Sequence, residues 1–360
     1  MLSPVPVDRK IIHCDCDCFY AAVEMRDQPS YQHRPIAIGG PADSRGVIAT
    51  CNYPARGFGV HSAMPSAQAL RVCPQLLILP GRMALYKLVS AQIMAIFRRY
   101  SDRIEPLSLD EAFIDVTEST LCGGSATRIA QRIRAEVEAE VGITISAGVA
   151  PNKFIAKVAS DWRKPNGLFV VKPDEVDAFS AQLAVKKIPG IGPVSAAKLA
   201  TQNIHTCADL RTFTALELEH KFGRMGQSLA LRRFGLDERA VQTSRIRKSV
   251  SVENTYRQDL VKLEDCAQAL QPLYEQLMVR WQQLTEQYAV AGVVVKLKFA
   301  DFSQLTREFA TNDIDLDLFQ PLLQQAFTSG NAQQQKRGVR LLGLGLKLQA
   351  PISQQQLRLF

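Results

Sequence analysis

Asp15 closes an apolar run, Lys10-Ile11-Ile12-His13-Cys14-Asp15-Cys16, and Asp110-Glu111 lies between two further apolar segments, 103–107 and 111–116. Carboxylates gathered from separate segments repel one another and are costly unless a hard divalent cation holds them together. Two magnesium ions about 3.5–4 Å apart are the standard device for in-line attack at phosphorus, one activating the nucleophile and one clamping the leaving oxygens. The bland alternative is that Asp110 and Glu111 are solvated turn residues and Asp15 caps a helix. A second polar group of interest is Asn52-Tyr53-Pro54-Ala55-Arg56-Gly57, which offers a phenol and a guanidinium beside a turn, with Lys157 as a further cation. A triphosphate would use such groups, although an arginine in a loop is more often simply solvated. Neither G-x-x-x-x-G-K-[ST] nor G-x-G-x-x-G occurs, which disfavours a P-loop ATPase and a dinucleotide enzyme.

Further along, Lys187-Ile188-Pro189-Gly190-Ile191-Gly192-Pro193 fits a helix-hairpin-helix turn. Gly190 and Gly192 permit a tight turn whose N–H groups face outward, and Pro193 takes the favoured first position of the next helix. Such a turn binds a phosphate without reading sequence, and an ordinary helix–helix turn is the competing account.

These residues need elements to position them. A buried strand covers 10–16 and a helix starts at 21–25. A small insertion at 31–79 holds strands at 35–38 and 46–50 and a helix around 65–72. A periodic helix runs over 83–100, followed by strands at 103–107 and 111–116, a helix at 125–141 and a strand at 143–149. Without the insertion the order is β-α-β-β-α-β, the split pattern of a ferredoxin-like sheet with helices on one face. Its first strand and the 103–116 hairpin occupy the centre, so Asp15, Asp110 and Glu111 can meet at one edge. Residues 176–240 read as all-helical, and the polar stretch 243–249 reads as a connection between domains. Beyond it a strand, a helix near 263–284, a strand at 292–299, a helix near 316–327 and a strand at 339–346 form a second α+β domain.

At 360 residues the chain exceeds one ordinary core, so several domains are expected. No apolar run approaches the roughly 18–20 residues that cross a bilayer, and the first residues lack a signal peptide's apolar core, so a cytoplasmic protein is expected. The net charge of +8 is uneven: residues 1–180 carry +1 and residues 181–240 carry +4. That pattern suits a catalytic part joined to a polyanion-binding part, and equally a merely basic protein. The eight cysteines include no C-x-x-C pair. In a strand Cys14, Cys16 and Cys18 would share one face and Asp15 and Asp17 the other, which points to small buried thiols in a reducing compartment.

Six motifs then follow in order: Asp15-Cys16-Asp17-Cys18-Phe19-Tyr20, Tyr53-Pro54-Ala55-Arg56, Pro106-Leu107-Ser108-Leu109-Asp110-Glu111, Ser146-Ala147-Gly148-Val149-Ala150, Lys153-Phe154-Ile155-Ala156-Lys157 and Lys164-Pro165-Asn166-Gly167. Together they resemble the Y-family translesion DNA polymerases, in their bacterial DNA polymerase IV branch, over essentially the whole chain. The resemblance implies a multidomain α+β fold: a ferredoxin-like palm (1–24 and 80–175), a small fingers insertion (25–79), a helix-hairpin-helix thumb (176–240), a linker (241–249) and a little finger (250–350). Asp15, Asp110 and Glu111 match the family's metal ligands for two Mg²⁺, with help from the main-chain carbonyl of Cys16. Phe19, Tyr20, Tyr53, Arg56 and Lys157 match residues around the incoming dNTP, Tyr20 being the aromatic that rejects a 2′-hydroxyl, and Gly190 and Gly192 match DNA-phosphate contacts. Asp17 is read as structural. Two departures stand out. Cysteines occupy positions 14 and 16, where hydrophobic residues are usual, and Gly57 and Pro193 stand where a lysine is common, which removes positive charge there.

The implied reaction is templated attack of a primer 3′-hydroxyl on the α-phosphorus of a dNTP, with low fidelity and no proofreading domain, by a monomer. A cyclase-like enzyme would share the sheet and the carboxylates but not need residues 181–350. A non-catalytic DNA-binding protein would not need the carboxylates. The tail, 351–360, ends Gln356-Leu357-Arg358-Leu359-Phe360 and resembles the short peptide by which bacterial polymerases dock on the sliding β clamp. Folding back onto the preceding domain is the alternative.

Overall fold

Strand β1, Ile11–Cys16, alternates two sets of buried side chains, so both of its faces are covered and it takes the centre of a sheet. The chain is described here by a computed structural model over residues 9–330 and 338–349. After helix α1 (Phe19–Asp27), a small three-stranded sheet forms from β2 (Ile36–Gly39), β3 (Ile48–Cys51) and β4 (Leu77–Leu79) in the order β3-β2-β4. It carries the short helices α2 (Tyr53–Gly57) and α3 (Ser66–Val72). Helix α4 (Met83–Arg98), strands β5 (Ile104–Pro106) and β6 (Glu111–Asp115), helix α5 (Ala126–Val141), strand β7 (Ile145–Ala150), helix α6 (Lys153–Ser160) and strand β8 (Leu168–Val170) complete the main sheet, whose order is β5-β6-β1-β7-β8. Its first four strands have the split order expected from the sequence, and β8 adds a parallel fifth beside β7.

Helix α5 shows why these residues fold as they do. Ala126, Ile129, Ala130, Ile133, Val137 and Val141 recur at helical spacing and are all buried. The Ser125 side chain accepts from Arg128 N–H at the start, and Gly142, at φ 74, ends the helix. Helices α1, α4 and α5 cover one face of the sheet, where Ile12, Cys14 and Cys16 join their core. The strand stops at Cys16, and Cys18 enters the same core from a left-handed φ of 44°.

The expectation of helices on one face alone is corrected by α6, which packs across the other face with Ile11 and Phe113. Gly148 allows it. A Cβ there would lie 2.1 Å from the Ala156 carbonyl oxygen and 2.4 Å from Ser160 N. Behind α6 come α7 (Val176–Ala181), α8 (Pro193–Ala200), α9 (Cys207–Leu210), α10 (Ala215–Phe222) and α11 (Arg224–Arg232), which share its core through Leu199, Leu210, Leu218 and Leu229. The chain after α11 is fastened to the sheet's edge: Asn152 donates to Gly235 O at 2.8 Å, Arg9 to Asp237 O at 2.6 Å, and Gln242 N–H to Glu105 at 2.7 Å.

Contacts divide the chain into two compact units: one runs to Gly39 and takes Ile48–Met64 and Ala69–Ser244, while the other takes Gly40–Val47, Pro65–Gln68 and the chain from Arg245. In the second, β9 (Ser249–Leu260), β10 (Ala289–Phe299), β11 (Gln304–Phe309) and β12 (Val339–Gln349) form an antiparallel sheet ordered β11-β10-β12-β9. Helices α12 (Leu263–Gln268), α13 (Leu270–Gln282) and α14 (Phe319–Thr328) supply Cys266, Leu273, Leu277 and Phe319 to its core, against Leu342, Leu344 and Leu346 of β12. Among the described residues no helix is long and apolar enough to cross a membrane.

Candidate active site

Asp15 and Glu111 converge as strand geometry requires, while Asp110 at the hairpin tip is not one of the group whose ligand atoms lie within 4.8 Å of one another. Asp15 on β1 pairs in register with Glu111 on β6, and Cys16 N–H donates to the Asp110 carbonyl at 2.9 Å, tying the hairpin tip to the end of β1. The Asp110 carboxylate accepts from the Ser108 hydroxyl at 2.5 Å. Asp15 and Asp110 line an open cavity together with Cys16, Phe19, Tyr20, Thr50, Arg56 and Lys164. Carboxylate oxygens of Asp15 and Glu111 and a ring nitrogen of His13 lie within 4.8 Å of one another, which makes this the only group of metal-ligating side chains of that kind among the described residues.

Two ammonium groups compensate the negative charge. Lys164 Nζ lies 2.5 Å from Asp15 Oδ1 and 3.1 Å from Asp161, and Lys157 bonds Glu111 Oε2. The consequences differ. Burial pushes the Asp15 carboxyl up to about 6 against the pull of Lys164. Burial pushes Glu111 the same way, but hydrogen bonds from His13 and Lys157 reverse it and hold it down at about 2. His13 is fully buried and is driven down to about 4, so its ring is neutral at ordinary pH.

Tyr20 lies with its ring 4.4 Å from that of Tyr86 at an interplanar angle of 14°. Tyr86 is fully buried and its hydroxyl donates to Glu24 at 2.6 Å, while Arg82 grips the same carboxylate with two N–H groups at 2.9 and 2.7 Å. The ring of Tyr20 therefore rests on a fixed platform. Phe19 reaches the cavity wall but belongs to the core, at 2% exposure. Asn52 caps α2, its side chain accepting from Ala55 N–H at 3.1 Å, and so presents Tyr53 and Arg56 in one turn. The Arg56 guanidinium lies over the Tyr53 ring, 4.8 Å from its centroid.

Of the residues expected around a triphosphate, Arg56 reaches the cavity, whereas the Tyr53 hydroxyl faces Asp17 at 3.4 Å and Lys157 is engaged by Glu111. Asp17 also accepts from Thr144, Ser146 and Asn166 N–H, each at 2.8 Å, so its oxygens serve the fold. Sequence reasoning missed Lys164, although it opens the Lys-Pro-Asn-Gly motif, and His13, although two-residue spacing puts it on the face of Asp15. Gly190, at φ 93, and Gly192 are exposed in the hairpin before α8, which Arg232 closes by donating to Pro189 O. All eight cysteines are free, seven of them buried. Residues 356–360 lie outside the described residues.

Comparison with known proteins agrees in extent and order. The sequence matches the impB/mucB/samB family over residues 14–161, its C-terminal domain over 247–359, and the DNA polymerase-iota thumb domain over 186–237. It is 53% identical over 353 residues to DNA polymerase IV of Ectopseudomonas mendocina (strain ymp), spanning 98% of this chain and 99% of that one. The fold is similar to the Y-family DNA polymerase chimera Dbh-Dpo4(243-245)-Dbh, with a TM-score of 0.84 and 28% identity over 94% of this chain and 98% of that one. It is also similar to an insertion ternary complex of Dbh DNA polymerase, with a TM-score of 0.66 and 27% identity over 95% and 99%. A five-stranded sheet with carboxylates at one end, a helical hairpin segment and a separate C-terminal α+β unit are the palm, thumb and little finger of that fold, and the chain belongs to the bacterial DNA polymerase IV branch of the Y-family, the translesion DNA-directed DNA polymerases.

Proposed function

We propose that the cavity at the end of β1 and β6 performs template-directed nucleotidyl transfer from dNTPs, with the carboxylates of Asp15, Asp110 and Glu111 as its centre. One observation carries the reading. Asp15 and Glu111 stand in register on neighbouring strands, Asp110 is tied to Cys16 through its main-chain carbonyl, and a guanidinium, an ammonium and the ring of Tyr20 line the same cavity as Asp15 and Asp110, which supports this reading.

The residues fit a divalent cation: the donors are hard oxygens, and two lysines already neutralise them. Asp15, Asp110, Glu111 and the main-chain carbonyl of Cys16 would hold two Mg²⁺, which when bound acidify the primer 3′-hydroxyl and stabilise charge on the leaving pyrophosphate. The chain's own groups then divide the work. Arg56 neutralises the triphosphate, joined by Lys164, Tyr53 and Lys157 as their present partners release them. Tyr20, fixed against Tyr86, forms the floor under C2′ of the incoming sugar, and Phe19 backs it from the core.

Gly190 and Gly192 offer backbone N–H groups to a DNA phosphate, and the basic second half adds salt-sensitive affinity for primer-template. The domains are those implied by the sequence: palm 1–24 and 80–175, fingers 25–79, thumb 176–240, linker 241–249, little finger 250–350. Small fingers leave the nascent pair weakly checked, so synthesis is error-prone and tolerates damaged template, without proofreading. The protein works as a cytoplasmic monomer, recruited by Gln356, Leu357, Leu359 and Phe360 to the sliding β clamp. Deleting 356–360 should abolish stimulation by a loaded clamp and leave clamp-free extension unchanged.

Primer extension with Mg²⁺ and dNTPs tests the core of the reading. Asp110→Ala should reduce it by several orders of magnitude while primer-template affinity stays within about twofold. Near-parent turnover in that variant would overturn it.

A further inference from the structure

His13 is fully buried at the centre of the sheet, on the face that carries Asp15, and uses both ring nitrogens. Nδ1 lies 2.8 Å from the Ser160 hydroxyl at the end of α6, and Nε2 lies 3.1 Å from Glu111 Oε2. The ring is wedged beside its β6 neighbour Phe113, with centroids 4.7 Å apart, and its β7 neighbour is Gly148, whose missing side chain lets α6 approach. The imidazole therefore has one orientation open to it.

The network also fixes its hydrogen atoms. The Ser160 hydroxyl has one proton and two acceptors within reach, His13 Nδ1 and the Lys157 carbonyl, each at 2.8 Å. If it donated to the carbonyl, Nδ1–H would have to donate to the serine, and a neutral ring would then turn an Nε2 lone pair onto a carboxylate oxygen 3.1 Å away, with only the Lys157 ammonium at 3.5 Å to donate to it. With the serine hydroxyl donating to Nδ1, the ring carries its hydrogen on Nε2 and donates it to the Glu111 carboxylate at 3.1 Å, the closer of the two contacts to Nε2, while the Lys157 carbonyl gives up the serine bond. Lys157 bonds the same oxygen. Oε1 of Glu111 has no hydrogen-bond partner among the described residues. Of the two donors, Lys157 hangs on a flexible stem with 29% of its side chain exposed, while His13 is immobile at 0%.

We propose that His13, braced by Ser160, is a positioning residue for Glu111: it holds Oε2 and thereby presents Oε1 to the catalytic cation. This rests on the reading of Glu111 as a metal ligand. Partners of this kind orient carboxylate ligands, and their loss costs about 10–100-fold in metal affinity or activity.

The test uses the full-length protein, with Mn²⁺ as the probe metal, followed by electron paramagnetic resonance, and steady-state primer extension. His13→Phe keeps a ring against Phe113 and removes the donor. It should weaken Mn²⁺ binding about tenfold and lower kcat about as much, with KM for dNTP nearly unchanged. His13→Gln restores an N–H near the Nε2 position and should recover most of both. In a Glu111→Ala background, His13→Phe should cost no further Mn²⁺ affinity, because the group it positions is gone. A purely structural role would lower the melting temperature without this non-additivity. If His13→Phe does not fold, Ser160→Ala carries the test, with an expected loss of severalfold that also vanishes with Glu111→Ala. Parent-like Mn²⁺ affinity and kcat in the folded variant, or full additivity with Glu111→Ala, overturn the proposal while leaving the metal reading intact. A Glu111→Ala protein that itself binds Mn²⁺ and extends primers like the parent overturns both.

Discussion

Gly148→Ala should damage stability and turnover together, because one backbone position sets the distance between β7 and α6. The added Cβ would lie 2.1 Å from the Ala156 carbonyl oxygen, 2.4 Å from Ser160 N and 2.9 Å from the Ala159 carbonyl carbon. All three atoms are helix backbone, so no rotamer change relieves the clash. Real contacts of this kind essentially never fall below 3.0 Å, so α6 must move outward by about 0.9 Å. Overpacking of this sort costs about 1–3 kcal/mol, which for a unit of this size lowers the melting temperature by roughly 2–10 °C. The same displacement carries Ser160 away from His13 and Lys157 away from Glu111. A shift of about 1 Å in a positioning element can cost about 10²-fold in rate, and that is the loss expected in kcat/KM for primer extension. Differential scanning calorimetry and steady-state extension measure the two effects. Gly57→Ala is the control for melting: a Cβ there meets nothing within 4 Å, and its melting temperature should stay within about 1 °C of the parent. A Gly148→Ala protein with the parent's melting temperature and rate would refute the argument that α6 is held at its contact limit.

Tyr20→Ala should raise ribonucleotide insertion relative to deoxyribonucleotide insertion on the order of 10²-fold, equal to about 2.7 kcal/mol of lost discrimination; an unchanged ratio in folded protein would show that Tyr20 only packs against Tyr86. In EDTA, the stability of Asp15→Asn relative to the parent should rise by up to about 3 kcal/mol between pH 4 and pH 8, most of it between about pH 4 and 6. The sign follows from a buried carboxyl raised from 3.8 to about 6, whose stabilising protonated form is lost as pH rises through that range. Melting curves whose difference does not change with pH would contradict it.

The meeting of Asp15 with Glu111 was legible because it rests on two features a sequence displays: the strand ending at Asp15-Cys16 and a hairpin whose tip falls at Asp110-Glu111. Helices α4 and α5 were equally legible, each being 16 residues with a continuous buried stripe. What escaped was short, including the six-residue β11, which sequence reasoning passed over. Strands β4 and β8 have three residues each, and α6 has eight, all within segments that read locally as irregular. The charge partners escaped for a different reason. Lys164 is 149 positions from Asp15, and Lys157 is 46 from Glu111, and only tertiary packing decides which ammonium meets which carboxylate.

The position of α6 also explains why chemistry collects on one face of β1 and not the other. The face built from Ile12, Cys14 and Cys16 lies under α1, α4 and α5, and these side chains are at most 3% exposed. On the opposite face α6 is only eight residues long and closes over Ile11 and His13, both at 0%. One step further along the strand, the Asp15 side chain is 19% exposed and Glu111 beside it 21%. Cover therefore runs out between positions 13 and 15, so a buried neutral donor and a solvent-reachable carboxylate stand two residues apart on one rigid strand. A longer α6 would bury Asp15 and raise its pKa further, and a shorter one would leave His13 wet and mobile. The candidate active site lies where a helix of this length ends.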